Sequence, residues 1–489
     1  MRIDQERNYH NSPTQHSTTM LSEPLRTTLG LDPTHRTHAL NGYAFQQDAL
    51  HTFNGWQYAC FYSSLPSSKE PLFVHLSRRK LPSGPWQTIV FEDYAQTTDD
   101  GHNTVQLGIC PGDGTIHLSY DHHCDVLRYR HSRVGVATSP EEVSWGPELF
   151  TPTLSSLPGL SSPETTELLS YITYPRFVTR GRDLLFTFRT GKAGLGDDHL
   201  CVYTAASSSS SDHTDNNTSK PTSTQLGTYK FLGTHLKGVS NNPYIHGLDA
   251  SADGSRLYTT WVYREFVHYE GWDDPSDTKH KRQAGPNAAT NNRDICYAWS
   301  SDGGVRWRNS DGAVIADLER GESILPSAPG IVAFEIPKES GLINQEAQAV
   351  DHEGGVHVLN RDSLDDDDDN GMTRWRHYYL SPDDGWMRRA LPHVEGVYGG
   401  KRGQLAVSRE GDLYLVLPHH ADPVLTILRA SKTSRYAEYE LVWRGKGFPP
   451  TEPLVDKARL THDNVLSVFT RAFTGSGSDV NVVVLDFQL

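Results

Sequence analysis

The chain of 489 residues carries 45 Lys and Arg against 60 Asp and Glu, a formal net charge of −15. That acidity argues against a general nucleic-acid or anionic-membrane binder, because such partners call for excess positive charge. Hydrophobic residues make up 36% of the chain beside 41 glycines, so a large core is available, yet no stretch is as long and apolar as a membrane span.

Residues 1–40 are polar, rich in His, Thr and Pro, and without period, which predicts a disordered or draped arm. They lack the apolar centre of a secretion signal, so localisation stays open: cytoplasmic as the chain reads, exported if the start lies elsewhere or the route is leaderless. From about Asn41 onward one pattern recurs: a short apolar strand, a tight turn, a second alternating strand, then a longer polar connection. The first unit is WQYACFYSS with LFVHLSRRK and WQTIVFEDY. Six more follow, opened by VQLGICPGDGTIHLSYDHH, PRFVTRGRDLLFTFRTG, YIHGLDASADGSRLYTTWVYRE, AQAVDHEGGVHVLNRD, GQLAVSREGDLYLVLPHH and ARLTHDNVLSVFTRAF. Several are followed by a further strand pair, and helical periodicity is nearly absent. The prediction is an all-β chain in which 41–489 form a single seven-bladed β-propeller of four-stranded antiparallel blades, expected to act as a monomer.

Ser300-x-Asp302-x-Gly304-x-x-Trp307 matches an Asp-box turn, with degenerate copies at Ser381–Trp386 and Ser83–Trp86. Asp302 is expected to accept turn N–H groups, Gly304 to supply permissive backbone angles, and Trp307 to plug between strands. Three stretches read as exposed loops: 207–224, which contains sequons at Asn216 and Asn217, about 270–292, and the carboxylate run Asp365–Asp369. That run lacks the turn spacing of a calcium loop. No cofactor is required and no catalytic metal site is read; a structural calcium stays open. Cys60, Cys110, Cys124, Cys201 and Cys296 are odd in number and contain no CxxC pair, which excludes a dense disulfide framework and a thiolate zinc site and leaves room for one cystine.

In a propeller blade the start of the first strand and the end of the second share one face. Blade 2 brings His102, Asn103, Asp121, His122 and His123 there, and blade 3 brings Tyr174, Arg176, Arg189 and Lys192. Blade 4 adds Tyr244, His246, Arg264 and Glu265, blade 5 Glu346 and Arg361, blade 6 Lys401, Arg402, His419 and His420, and blade 7 Arg471. Histidines and arginines thus gather on one face of an acidic protein, which implies an anionic or polyhydroxylated ligand. An Arg fork at position 189 suits planar carboxylate recognition. Each of these also has a plain structural reading: a capped turn for His102 or His419, a packed aromatic for Tyr174 or Tyr244.

At GHNTVQLGI, DGTIHLSYDHH, TYPRF and FTFRTG the sequence resembles the BNR-repeat propellers of polysaccharide lyases, namely ulvan lyases and, most of all, the fungal L-rhamnose-α-1,4-D-glucuronate lyases. The resemblance implies a lyase that cleaves a uronate-containing glycan by β-elimination. It implies that His102 acts as base and acid, and that His122 or His123 accompanies it, with His123 preferred for the inward face. It also implies that Tyr174 shares acid–base work and that Arg189 neutralises the carboxylate. Asn103, His122, Arg176, Tyr244, His246, Arg264, Arg361 and His419 are then expected to bind substrate. The chemistry asks for these types: a cation to stabilise the enolate-like intermediate and a near-neutral base to take the proton beside the carboxylate. Two rivals stand beside this reading. One is a sialidase-like or other glycosidase, using several of the arginines or a carboxylate pair drawn from Asp121, Glu265 and Glu346. The other is a glycan-binding propeller that does no chemistry.

Overall fold

The computed structural model describes every residue except 1–19, 207–224, 275, 277, 279–284, 365–371, 397–398 and 476–478. The sequons and the five-carboxylate run lie outside the described residues. Alternating apolar strands separated by Gly- and Asp-containing turns form seven antiparallel sheets, because each strand has one row of side chains to bury against the next sheet. Blade 1 is Leu50–Phe53, Trp56–Ser64, Leu72–Lys80 and Gln87–Gln96. Blade 2 contains Val105–Ile109, Ile116–Tyr120 and Tyr129–His131, with its outer edge continued by isolated bridges from Tyr129 to Leu154 and Ser132 to Phe150.

Blade 3 runs through Ile172–Arg180, Asp183–Lys192, Leu195–Thr204 and Thr228–Leu236, and the short strand His123–Asp125 adds to its inner edge. Blade 4 begins with Asn241–Ala250, Leu257–Glu265 and Asn292–Ser300, blade 5 with Ala347–Val350 and Val356–Asp362, and blade 6 with Gln404–Val407 and Leu413–Pro418. The architecture is the expected seven-bladed β-propeller.

Ring closure departs from the sequence reading. Leu25–Leu31, placed there within the arm, pairs antiparallel with the last strand, Val480–Gln488, so blade 7 is completed by the N-terminal end of the described chain. Nothing local marked it, since an outermost strand buries little, Leu25 and Leu31 stay exposed, and no partner strand lies beside it in the sequence. Two polar clasps hold the closure. Asp32 joins Arg471 at 2.7 Å and accepts from Asn41 at 3.0 Å. Deeper, Asp486 of blade 7 meets both Arg79 of blade 1 at 2.5 Å and Arg459 at 2.6 Å, all three nearly sealed from solvent.

Inner strands crowd one another close to the axis. A Cβ built on Gly108 would lie 2.5 Å from Cβ and Cγ of Phe177, so glycine is what lets blades 2 and 3 meet. The Asp-box works as its chemistry requires: Asp302 accepts the Arg306 N–H at 2.9 Å, Gly304 has φ of +92°, and fully buried Trp307 donates to the Gly304 carbonyl at 3.0 Å. All five cysteines are buried and free, so no cystine forms.

Candidate active site

The site starts from a turn ahead of blade 2. Asp100 Oδ1 accepts the backbone N–H of His102 at 2.9 Å, the local turn for which a short carboxylate two residues upstream is suited. The turn carries the His102 ring back to the same carboxylate, with Nδ1 2.6 Å from Oδ1. The other oxygen, Oδ2, lies 2.6 Å from Nδ1 of His123. The two imidazoles stack with centroids 3.9 Å apart and planes 18° apart, and Phe45 covers the opposite face of His102 at 5.0 Å and 11°. Both ring faces are covered and Nδ1 is engaged, yet 30% of the His102 side chain stays exposed, so Nε2 is the nitrogen left for a ligand.

Electrostatics separate the three groups. Burial alone pushes the Asp100 carboxyl up, but the hydrogen bonds from His102 and His123 outweigh it and hold the group well below the usual carboxylate range. Burial, helped by the neighbouring His102, lowers His123 to about 3 against the opposing pull of Asp100, so that ring stays neutral. Among the described residues these are the one Asp/His cluster whose ligand atoms all lie within 4.8 Å of each other. The 2.6 Å contacts are hydrogen-bond distances, and the carboxylate already satisfies both rings.

Tyr174 stands next to this pair, its ring 5.7 Å from His102, 5.0 Å from Phe45 and 6.2 Å from Tyr244. It has φ of +56° at a bulge in the inner strand of blade 3. A bulky residue in that region costs on the order of 1–3 kcal/mol, held only where packing over-determines it. Its hydroxyl has no hydrogen-bond partner among the described residues. Burial raises the phenol above its ordinary value despite the nearby Arg189, so Tyr174 is a proton donor and not a phenolate.

Arg189 supplies the charge. It is 2% exposed and donates to the Tyr244 hydroxyl at 3.0 Å, the Gly191 carbonyl at 3.0 Å and Thr173 Oγ1 at 3.3 Å. Among the described residues no carboxylate lies within 4.0 Å of it. Its guanidinium sits 5.0 Å from the Tyr174 ring and 5.4 Å from that of Tyr244, whose ring also packs 4.5 Å from Arg264. Arg264 in turn donates to Asn292 at 2.8 Å and Asn344 at 2.7 Å. The fork expected at Arg189 is therefore already engaged by protein oxygens, and its charge reaches the pocket chiefly as a field beneath the two tyrosines.

Other sequence candidates are placed elsewhere. His122 is turned away from the cluster, its Nε2 accepting the Arg128 N–H at 2.8 Å. Arg176 donates to the carbonyls of Ile245 and His246 at 3.1 and 3.3 Å. His246 is fully buried and accepts the Glu346 N–H at 3.2 Å. Arg361 pairs with Glu346 at 3.0 Å and packs 4.0 Å from the Trp375 ring. These four are framework between or within blades. His419 accepts the Asp422 N–H at 3.2 Å and so caps its own hairpin. Asn103 lies against the site but donates to Asp121 at 2.6 Å.

The carboxylates proposed for a glycosidase are likewise committed. Asp121 also accepts from Gln96 at 3.0 Å and from Tyr94, Glu265 pairs with Arg293, and Glu346 is 0% exposed. An axial cavity of about 220 Å³ is lined by Asp48, Arg176, Asp249 and Lys457, and by none of His102, His123, Tyr174 or Arg189. Sequence reasoning missed Asp100 and Phe45. The DDGHN run carried a signal for Asp100, a carboxylate two residues before a histidine; Phe45 reaches the site through a connection with no pattern of its own.

Comparison with known proteins agrees with this architecture. An ulvan lyase, long isoform, from Pseudoalteromonas sp. (strain PLSV) is 25% identical in an alignment 351 positions long that covers 64% of this chain and 31% of that protein. The chain thus spans about a third of that relative's length. The solved polysaccharide lyase Uly1 superposes with a TM-score of 0.64 at 17% identity, covering 96% of this chain and 100% of the other. An ulvan lyase bound to -[GlcA(1-4)Rha3S]- gives 0.58 at 13% identity, covering 94% and 95%. A family model described as "BNR repeat-containing family member" matches residues 56–394, and the chain belongs to that family of propellers.

Proposed function

We propose that this protein is a polysaccharide lyase that cleaves a uronate-containing glycan by β-elimination, with a rhamnose–glucuronate linkage as its substrate. One observation carries the reading: a partly exposed imidazole stands beside a phenol and a buried guanidinium that has no carboxylate within 4.0 Å among the described residues. A buried cation with no carboxylate in salt-bridge contact, its cross-strand neighbour Asp198 bonding Thr187 instead, favours an anionic ligand, and the proton beside a uronate carboxylate becomes removable only when that carboxylate's growing charge is stabilised. His102 Nε2 takes the proton at C5. The electron pair passes into an enolate-like intermediate over the carboxylate, held by the field of Arg189 and Arg264. The C4–O4 bond then breaks, a C4=C5 double bond forms, and O4 leaves with a proton from Tyr174 or from the protonated His102.

His102 and Tyr174 are neighbours on one wall, which suits removal and delivery from the same side of the sugar. Similarity to ulvan lyases supports the uronate class, while the narrower linkage rests on the motif resemblance at GHN, TYPRF and FTFRTG. The glycosidase reading is disfavoured because Asp121, Glu265 and Glu346 are all paired within the protein. The test is ultraviolet absorbance during incubation with gum arabic and with ulvan, wild type against His102→Ala. A conjugated alkene that appears only with wild type is expected; sugar released without it would sink the lyase reading.

A further inference from the structure

We infer that Asp100 is a positioning residue that fixes the protonation pattern of the histidine pair, making His102 the ring that exchanges protons and His123 a neutral buttress. For its kinetic consequence this rests on the lyase reading above; for its structural content it does not. An ionised carboxylate is acceptor-only, and Asp100 places one oxygen 2.6 Å from each Nδ1. Both rings must therefore carry their proton on Nδ1 toward Asp100, which leaves the Nε2 lone pair of each pointing away. His102 is the ring a ligand can reach: its side chain is 30% exposed, that of His123 8%.

The same geometry explains why a single carboxylate serves two rings. When His102 accepts a substrate proton it becomes an imidazolium, and Asp100 is the adjacent counter-charge. His123, stacked 3.9 Å away, must then stay uncharged, because two stacked imidazolium rings on one carboxylate would repel. Its burial enforces that, and its Nδ1–H fixes the second carboxylate oxygen so that the first cannot rotate off His102. Asp100 does not touch the substrate; it acts through His102, as an orienting acid does for a general base.

The decisive variant is Asp100→Asn. An amide offers one acceptor and one donor group, so it can hold only one Nδ1–H; the other ring must turn its lone pair inward and move its proton to Nε2. Long-range imidazole nitrogen–proton correlation spectra read this directly, with His102→Ala and His123→Ala identifying the two signals. Wild type is expected to show both rings as Nδ1–H tautomers, and Asp100→Asn to convert one of them. In alkene-forming assays Asp100→Asn should lower kcat by about 10²–10⁴-fold with KM nearly unchanged. Asp100→Ala should regain activity with added formate, a carboxylate small enough to occupy the gap.

A merely structural Asp100 would lower the melting temperature or raise KM and leave the tautomers alone. An Nε2–H tautomer at His102 in wild type, unchanged tautomers in Asp100→Asn, or a kcat retained within about threefold would each overturn the assignment. If wild type forms no alkene from any uronate glycan, the lyase reading fails, and the spectra alone still decide the role of Asp100.

Discussion

Arg189 offers a measurement in which the charge of the protein and the charge of the substrate are removed separately. Its guanidinium is 5.0 Å from the Tyr174 ring, over which a substrate carboxylate would lie, and among the described residues no protein carboxylate comes within 4.0 Å of it. A carboxylate stacked over that ring would be about 8 Å from the guanidinium, and two unit charges so spaced at an effective dielectric of about 20 interact by about 2 kcal/mol, or roughly 30-fold in rate. Arg189→Met removes the cation but also leaves the Gly191 carbonyl and Thr173 hydroxyl without their partner, so a loss of activity by itself proves little. The informative experiment is a cycle: wild type and Arg189→Met, each assayed by alkene absorbance on a glucuronate glycan and on its methyl ester. Damage to the framework affects both substrates and cancels. A coupling of about 30-fold is expected in kcat/KM, because Arg189 gains only where the substrate is charged. If the variant loses the same factor on acid and ester, within about threefold, then Arg189 is framework and the electrostatic argument is wrong.

Acid should unfold the protein early. Burial holds His199 at about 4 and His235 and His246 at about 3, and pushes His117, His122 and His377 well below their ordinary value. The unfolded chain takes up protons at these rings as pH falls below about 6.5, so the stability present above that pH is lost on the way down, by up to about 2 kcal/mol per ring at pH 5. Asp48 and Asp198, raised by burial to about 7, and Asp197 and Glu346, raised less, work in the opposite direction, but His75, His123, His131 and His357 are lowered by burial as well, so the imidazoles outweigh the carboxyls. A melting temperature that stays flat between pH 7 and 5 would contradict this. Asp486→Ala leaves Arg79 buried without its ion-pair partner and Arg459 with only Asp463, 4.0 Å away, at the closure of the ring; a loss of about 3–5 kcal/mol in chemical denaturation is expected, and one under about 1 would show the clasp to be dispensable. Gly108→Ala drives a methyl into Phe177 and should cost about 1–3 kcal/mol with the site chemistry retained. Tyr174→Phe keeps the packing around His102 and removes only the hydroxyl; a kcat lowered about 10²-fold assigns it the acid's role, whereas an unchanged kcat gives both proton transfers to His102.

The propeller was legible because its signal is repeated. Alternation in units such as IHLSY and LLFTF, broken by Asp-Gly turns, recurs often enough that irregular insertions do not mask it. Leu25–Leu31 was illegible for a matching reason: an outermost strand contributes hydrogen bonds rather than buried side chains, and hydrogen bonding leaves no mark on the sequence. The pairing partner lies some 450 positions away, so no local pattern signals the closure.

At the site, period-two reasoning broke down where the backbone leaves the strand. Asp121 and Cys124 have φ of +65° and +57°, two left-handed corners on either side of the histidine pair. Each corner reorients the side chains after it, and so alternation counted along SYDHH had no authority over which ring faces His102. Gln345 and Tyr174, at φ of +55° and +56°, mark similar corners on the inner strands of other blades. Such corners let consecutive side chains serve different ends: His122 and Arg176 turn into the framework, while their near neighbours His123 and Tyr174 face the pocket. The candidates separated by burial and partner rather than by residue type. Several arginines were equally eligible in the sequence, but Arg361 and Arg471 are in ion pairs with protein carboxylates, Arg176 is spent on carbonyls, and Arg189 and Arg264 sit against the tyrosines of the site with no ion pair among the described residues. That difference depends on which strands become neighbours across blades, and it is the difference on which a ligand's carboxylate would act.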